Sequence, residues 1–254
     1  MSKAYHLDLK KSDIKEARIA IMPGDPFRVP AIAIEISKKY KTKPTELAWK
    51  REFRSFLAPM KNTRVVICST GIGSPSTSIA IEELAQLGIE TFIRLGTTGS
   101  IQSNIKMGDV IITTASVRLD GASRQYAPIE YPAVSDLSVT NALVSGAKRS
   151  RVNYHTGVTA STDTFFQGEE RNDSYRKYTI RDLRGSTKEW KALGVLNYEM
   201  ESSIVLTMTS SMGLKGGCIT GVVNKGSVGK VTEANLKLGE KNAIRAAVAA
   251  LEFL

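Results

Sequence analysis

Cysteine and histidine are nearly missing from this chain. Its 254 residues hold two of each, Cys68 and Cys218, His6 and His155. Two cysteines cannot build the disulfide framework of a small secreted domain, and no Cys/His spacing fits a zinc site. Both cysteines lie in apolar, strand-like runs. They read as buried free thiols in a reducing compartment, so the expected location is the cytoplasm. No apolar run approaches the ~20 residues that span a bilayer. The amino-terminal stretch MSKAYHLDLKKSDIKEA has no signal-peptide core. A membrane role is therefore not expected. Internal repeats, linkers and low-complexity tracts are also lacking, and the length suits one domain, residues 1–254, with one substantial core.

What the chain has in excess is positive charge. Lys and Arg number 35 against 25 Asp and Glu, a formal net charge of +10, with a pI near 9.6. Such a balance favours anionic partners. The basic residues are scattered, however, and no tract alternates them with aromatics as a single-strand-binding platform would. Most of this charge reads as solvated surface, no nucleic-acid partner is expected, and a small anionic substrate would still profit from the field.

Short apolar strand segments alternate with helical ones: strands at 18–22, 64–68, 91–95, 110–114, 156–160, 195–198 and 218–223. Helices follow at 29–40, from Ser74-Pro75 to Gly88, weakly at 136–147, from Glu199 to Gly213, and at the carboxyl end. Residues 49–56 read as a half-buried edge strand, 118–132 as a flap or intersubunit loop, and 169–190, dense in charge, as exposed and mobile. The methionine stripe Met200, Met208, Met212 reads as core. Six or seven strands alternating with helices predict an α/β protein with a mostly parallel sheet. Ligands in such sheets bind beyond the carboxyl ends of the strands, where Arg28, Arg94, Phe165 and residues 199–201 fall.

Arg94 is the strongest single clue. It breaks a buried, apolar strand, and a guanidinium cannot stay unpaired there. Gly96-Thr97-Thr98-Gly99 follows, offering close backbone approach and hydroxyl donors. The combination suits a phosphate. The alternative is a structural arginine paired with a buried glutamate, followed by an ordinary turn.

Taken together, PGDPFRV (23–29), REF (51–53), CSTGIGSPSTSIAIEELAQLGI (68–89), FIRLGTTGSIQ (92–102), SVRLDGAS (116–123), DTFFQGEER (163–171) and NYEMES (197–202) resemble the nucleoside phosphorylase family, specifically its uridine-cleaving members. The resemblance runs through nearly the whole chain in order. It implies a three-layer α/β/α phosphorylase/hydrolase-like fold with a mixed, mostly parallel central sheet. It also implies a pentosyltransferase that converts uridine and inorganic phosphate into uracil and ribose 1-phosphate. Gly24, Arg28, Arg94 and Thr97 are then the phosphate site, with Arg51 reaching in from a neighbouring subunit. Glu201 and Met200 hold the ribose, and His6 meets the 5′-hydroxyl across a dimer interface. Phe165, Thr98, Gly99, Glu169, Arg171 and Lys225 surround the base. Arg28, Arg94 and Glu201 carry the chemistry. Glu52, Ile72 and Ser76 match a monovalent cation (K+) site between subunits, no other cofactor is implied, and the implied assembly is a homo-hexamer, a trimer of dimers.

Two positions depart from that pattern. Glu169 stands where the family has a uracil-reading glutamine, and Lys225 where it has an arginine. An ionised carboxylate only accepts hydrogen bonds, so one uracil oxygen loses its donor, unless Glu169 is protonated or pairs with Arg171. A lysine keeps the charge but not the fork. Altered base selectivity, or nucleoside binding without turnover, are the alternatives these changes raise. Asn224-Lys225 lacks the aspartate of the purine branch, which argues against a purine substrate.

Overall fold

Alternation along the strands sorts their side chains to two apolar faces. In the computed structural model, which describes residues 3–226 and 229–254, β1 (Ile19–Met22) sends Ile19 and Ile21 to one side and Ala20 and Met22 to the other. β4 (Arg64–Cys68) does the same with Val65 and Ile67 against Val66 and Cys68. A sheet apolar on both faces must be covered on both. Helices α1 (Arg28–Tyr40), α3 (Leu137–Arg149) and α6 (Glu233–Ala250) cover the first through Ile32, Leu143 and Ala246. Helices α2 (Ser74–Leu87) and α5 (Ser202–Ser211) cover the second, joined by Leu7, Leu9 and Ile14 of the amino-terminal segment. The result is the expected three-layer α/β/α arrangement.

Among the described residues the sheet has ten strands, more than the apolar runs foretold. Besides β1 and β4 they are β2 (Thr45–Lys50), β3 (Phe53–Pro59), β5 (Thr91–Ser100), β6 (Val110–Leu119), β7 (Ala133–Val134), β8 (Tyr154–Thr162), β9 (Asn197–Glu199) and β10 (Lys215–Lys225). Parallel pairing joins β4, β1, β5 and β10 in that order, and β6, β8 and β9. Antiparallel pairs of β10 with β6 and of β5 with β9 close five strands into a small barrel.

Several sequence expectations change here. Residues 49–56 are not one edge strand: they span the end of β2, a turn with Arg51 at φ 54°, and the start of β3. Gly96 to Gly99 is no turn but part of β5, held by Thr220↔Gly96 and Gly221↔Thr97 on β10 and by Tyr198↔Gly99 on β9. Glycine and threonine give a weak strand signal, and barrel closure overrides it. Residues 118–132, expected as a flap or an intersubunit loop, are tied together from within. Buried Arg118 staples them, its guanidinium donating to the carbonyls of Ser123, Ala127, Pro128 and Tyr131. Within 169–190, Glu169, Arg171 and Ser174 are buried, and α4 (Ser186–Ala192) forms near its end. The helix expected from Glu199 begins at Ser202, so Met200 lies before it, and Met212, after its end, is partly exposed.

Helix α3 crosses α6 at a glycine. A Cβ on Gly146 would lie 2.3 Å from the Ala246 carbonyl oxygen and 2.5 Å from the Ala250 nitrogen. Both are backbone atoms and cannot swing away. Gly146→Ala should therefore destabilise the fold by about 2–3 kcal/mol. Urea unfolding measures this, and a midpoint within error of wild type would contradict the contact.

Candidate active site

The carboxyl-end regions of β1, β4, β5, β8 and β9 and the start of α1 open onto a single cavity of about 690 Å³. The turn after β1 supplies Gly24 and Asp25, α1 supplies Arg28, and the loop after β4 supplies Gly71 and Ile72. Backbone bonds from Thr70 N–H to Pro23 O and from Gly71 N–H to Gly24 O, each 3.0 Å, clip these two loops together. β5 adds Arg94, Thr97, Thr98 and Gly99, and the end of β9 adds Glu199, Met200 and Glu201. Phe165 and Glu169 come from the segment after β8.

Arg94 meets the structural reading of its sequence and still keeps one donor atom unbonded among the described residues. Its Nε donates to Glu199 Oε2 at 2.7 Å, as a structural arginine would. Its Nη2 is in ion contact with Glu201 Oε2, while Nη1 is buried with no partner among the described residues. Glu199 is fully occupied: it also accepts from the Glu201 and Ser202 N–H groups and from the Ser202 hydroxyl. Glu201 accepts from Gly73 N–H at 2.6 Å through Oε1, and its Oε2 has no hydrogen bond. Arg28 Nε lies 2.7 Å from Glu240 Oε1 of α6, again without hydrogen-bond geometry. Three buried polar atoms on residues of one wall thus lack a hydrogen bond among the described residues: Arg94 Nη1, which has no ion pair either, and Arg28 Nε and Glu201 Oε2, each in an ion contact.

The two glutamates are tuned apart. Burial pushes both acids up. At Glu199 the charge of Arg94 and the bonds from Ser202 and Arg94 prevail and hold it below the usual carboxylate range. At Glu201 burial wins, helped by the Glu199 charge beside it, and its acid is raised. Burial likewise lifts Glu169, to about 7.

Of the residues expected in the site, the structure brings Gly24, Arg28, Arg94, Thr97, Thr98, Gly99, Phe165, Glu169, Met200, Glu201 and Ile72 onto this wall. Others lie off it. His6 is held by Glu83, which accepts from its backbone N–H and meets Nδ1 at 2.7 Å. Arg51 sits in the β2–β3 turn. The resemblance assigns both to a neighbouring subunit's site. Arg171 does not pair with Glu169: Asp173 holds it by two bonds, at 2.9 and 2.7 Å, and it lies 4.5 Å over the Phe165 ring. Glu52 and Ser76 flank Gly71, where a Cβ would come within 3.0 Å of Glu52 Cγ and 3.3 Å of Ser76 Oγ.

Lys225 needs correction as a base-pocket residue. Its ammonium donates to the carbonyls of Gln102, Ser103 and Ile105, outside the cavity. A lysine has three donors and here three acceptors. Lys225→Met should cost about 1–3 kcal/mol of stability and leave the nucleoside KM within about twofold. A large KM rise without loss of stability would return Lys225 to the pocket.

Sequence reading missed Asp25 and Glu240 and gave Glu199 no role. Glu199 had a legible signal, since a buried arginine needs a carboxylate and Glu199 lies two residues before Glu201. Glu240 had none, because only packing of α6 brings it to Arg28.

Comparison with known proteins agrees with this geometry. Residues 18–254 match the model of the phosphorylase superfamily. The chain is 51% identical over 254 residues to uridine phosphorylase of Salmonella typhimurium, covering all of this chain and 98% of the relative. It is 50% identical over the same length to uridine phosphorylase of Escherichia coli, again 98% covered. Guanosine phosphorylase of Halorubrum lacusprofundi is 36% identical over 220 residues, 86% of this chain and 82% of that one. With a cavity that gathers two arginines and a buried carboxylate, and with matches spanning its full length, the chain belongs to the phosphorylase superfamily.

Proposed function

We propose that this protein cleaves the N-glycosidic bond of uridine with inorganic phosphate, giving uracil and ribose 1-phosphate. The observation that carries this reading is the trio of buried polar atoms without a hydrogen bond, Arg94 Nη1, Arg28 Nε and Glu201 Oε2, on residues of one cavity wall. The full-length similarity to uridine phosphorylases supports the same substrate.

The reaction needs phosphate on one face of C1′ and the base on the other. A phosphate oxygen bonds to C1′ as the C1′–N bond breaks, and the electron pair leaves with the base through an oxocarbenium-like state. Arg28 and Arg94, with the Gly24 turn and the Thr97 hydroxyl, hold and orient the phosphate. That is proximity and electrostatic work, and no covalent nucleophile is required. Glu201 accepts from the sugar hydroxyls, over Met200. Thr98, Gly99, Phe165, Glu169 and, behind Phe165, Arg171 define the base end. His6 and Arg51 complete the site of an adjoining protomer in a hexamer. Exposed Tyr5, Phe27, Trp49 and Ile72 suit burial between protomers. Glu52, Ile72 and Ser76 would hold a monovalent cation there: their oxygens are hard ligands, and Ser76 Oγ lies 3.4 Å from the Ile72 carbonyl. No described helix is long and apolar enough to cross a membrane, and we place the enzyme in the cytoplasm as a single domain.

Phosphate-dependent release of free base from a panel of nucleosides tests the reading. Uridine should be cleaved only with phosphate present. Binding of uridine without release would favour a non-catalytic homologue, and preferred cleavage of another nucleoside would favour altered base specificity.

A further inference from the structure

Among the described residues, the carboxyl of Glu169 is the one acidic group on the cavity wall with no hydrogen bond or ion pair. Asp25 accepts from the Phe27 N–H, Glu199 is saturated, and Glu201 is bonded to Gly73 and in contact with Arg94. Glu169 is only 6% exposed, yet no described residue gives its side chain a hydrogen bond or an ion pair. The neighbour that could have neutralised it, Arg171, is taken by Asp173. A lone buried carboxylate is costly, whereas a buried carboxylic acid that finds both a donor and an acceptor is not.

Resting on the uridine reading above, we propose that Glu169 captures the base as a neutral carboxylic acid, so that uridine-type substrates bind the protonated enzyme. The chemistry is complementary. The imide edge of uracil shows an N–H beside a carbonyl oxygen. A carboxylic acid answers with a carbonyl acceptor and an O–H donor, as a primary amide would. The ionised form has acceptors only: it takes the N–H and repels the oxygen. Protonation therefore decides whether the edge fits.

The surroundings favour the neutral form. Burial is the main cause that lifts Glu169 to about 7. Arg171 opposes it, while Glu199 and Glu201 at the end of β9, and Asp173 on its own segment, add to it. The cations Arg94 and Arg28 on the same wall face their own carboxylates, Glu199 and Glu201 for the first and Glu240 for the second. Both protonation states are thus within reach near neutrality, and binding a uracil edge would draw a proton onto Glu169.

The test compares wild type with Glu169→Gln between pH 5.5 and 8.5, at saturating phosphate. Gln supplies the same donor and acceptor at every pH, so it also reports the titration of phosphate and of every other shared group. The ratio of uridine kcat/KM, wild type over variant, should be flat below pH 6 and fall roughly tenfold per unit above about 7, mainly through KM. A ratio independent of pH overturns the proposal. A second measurement needs no variant. Uridine is titrated calorimetrically into phosphate-free wild type, where no cleavage follows binding, at pH 8, in two buffers of different ionisation enthalpy. Uptake of close to one proton per uridine supports the proposal, and no uptake overturns it. Should neither protein release base from any nucleoside, phosphorolysis itself is refuted, while the proton uptake still decides the role of Glu169.

Discussion

Arg94→Met should abolish phosphorolysis and destabilise the protein by about 3–5 kcal/mol at neutral pH. Two effects coincide because one guanidinium does two things. Its Nη1, unpaired among the described residues, is a donor of the proposed phosphate site, and donors of that kind are worth about 10²–10³ in rate each. Its Nε and Nη2 neutralise Glu199 and Glu201. Without them, two buried carboxylates share one pocket with no cation between them. The pH dependence has a definite sign. In wild type, Arg94 helps keep Glu199 below the usual carboxylate range. Its contribution is present at neutral pH and is lost as pH falls through that lowered value. In the variant the acids rise above their unfolded values instead, so the native state binds extra protons. The deficit against wild type should then be largest above pH 7 and shrink towards pH 5. Urea unfolding at the two pH values, alongside the uridine assay, reads all three outcomes. A variant that is inactive yet as stable as wild type at pH 7.5 would show that the glutamates do not depend on Arg94.

Glu199 and Glu201 should separate stability from activity. Glu201→Gln is expected to lower uridine kcat/KM by about 10²–10³, with stability within about 1 kcal/mol of wild type. Burial already opposes the charge on Glu201, and Arg94 keeps Glu199 as its partner. The glutamine also keeps an acceptor for Gly73 N–H. Glu199→Gln should do the reverse in proportion, costing about 2–4 kcal/mol. Its oxygens meet donors only, from Arg94, Glu201 and Ser202, and an NH₂ group would face one of them. Part of its activity should survive where the fold does. Urea midpoints with unchanged slopes, set beside kcat/KM, make the comparison. Equal losses of activity and stability in both variants would mean that the two carboxylates act as one structural unit.

Much of this was legible in the linear chain. Period-two and helical patterns placed β1, β4, α1, α2 and α6, because each is set by which side chains must face a core. Arg94 announced itself as a charge in an apolar strand, and the carboxyl-end rule drew Arg28, Phe165 and residues 199–201 towards it. What misled was weak local signal. Residues 96–99 are strand because β9 and β10 pair with them, not because glycine and threonine prefer it. The segment 169–190 is rich in charge, yet Glu169 and Arg171 are turned inward.

By itself, then, the amino-acid order determined the layers, the family pattern and the need for an anion at Arg94. Those follow from spacing and from the cost of burying polar groups, which act over a few residues. Only the tertiary structure decided who answers whom. It put Glu199 and Glu201 on Arg94, Glu240 on Arg28, Asp173 on Arg171, and three carbonyls on Lys225, leaving Glu169 alone. Most of these pairs join segments far apart in the chain, so partner choice is set by how the strands and helices pack, which local spacing does not encode.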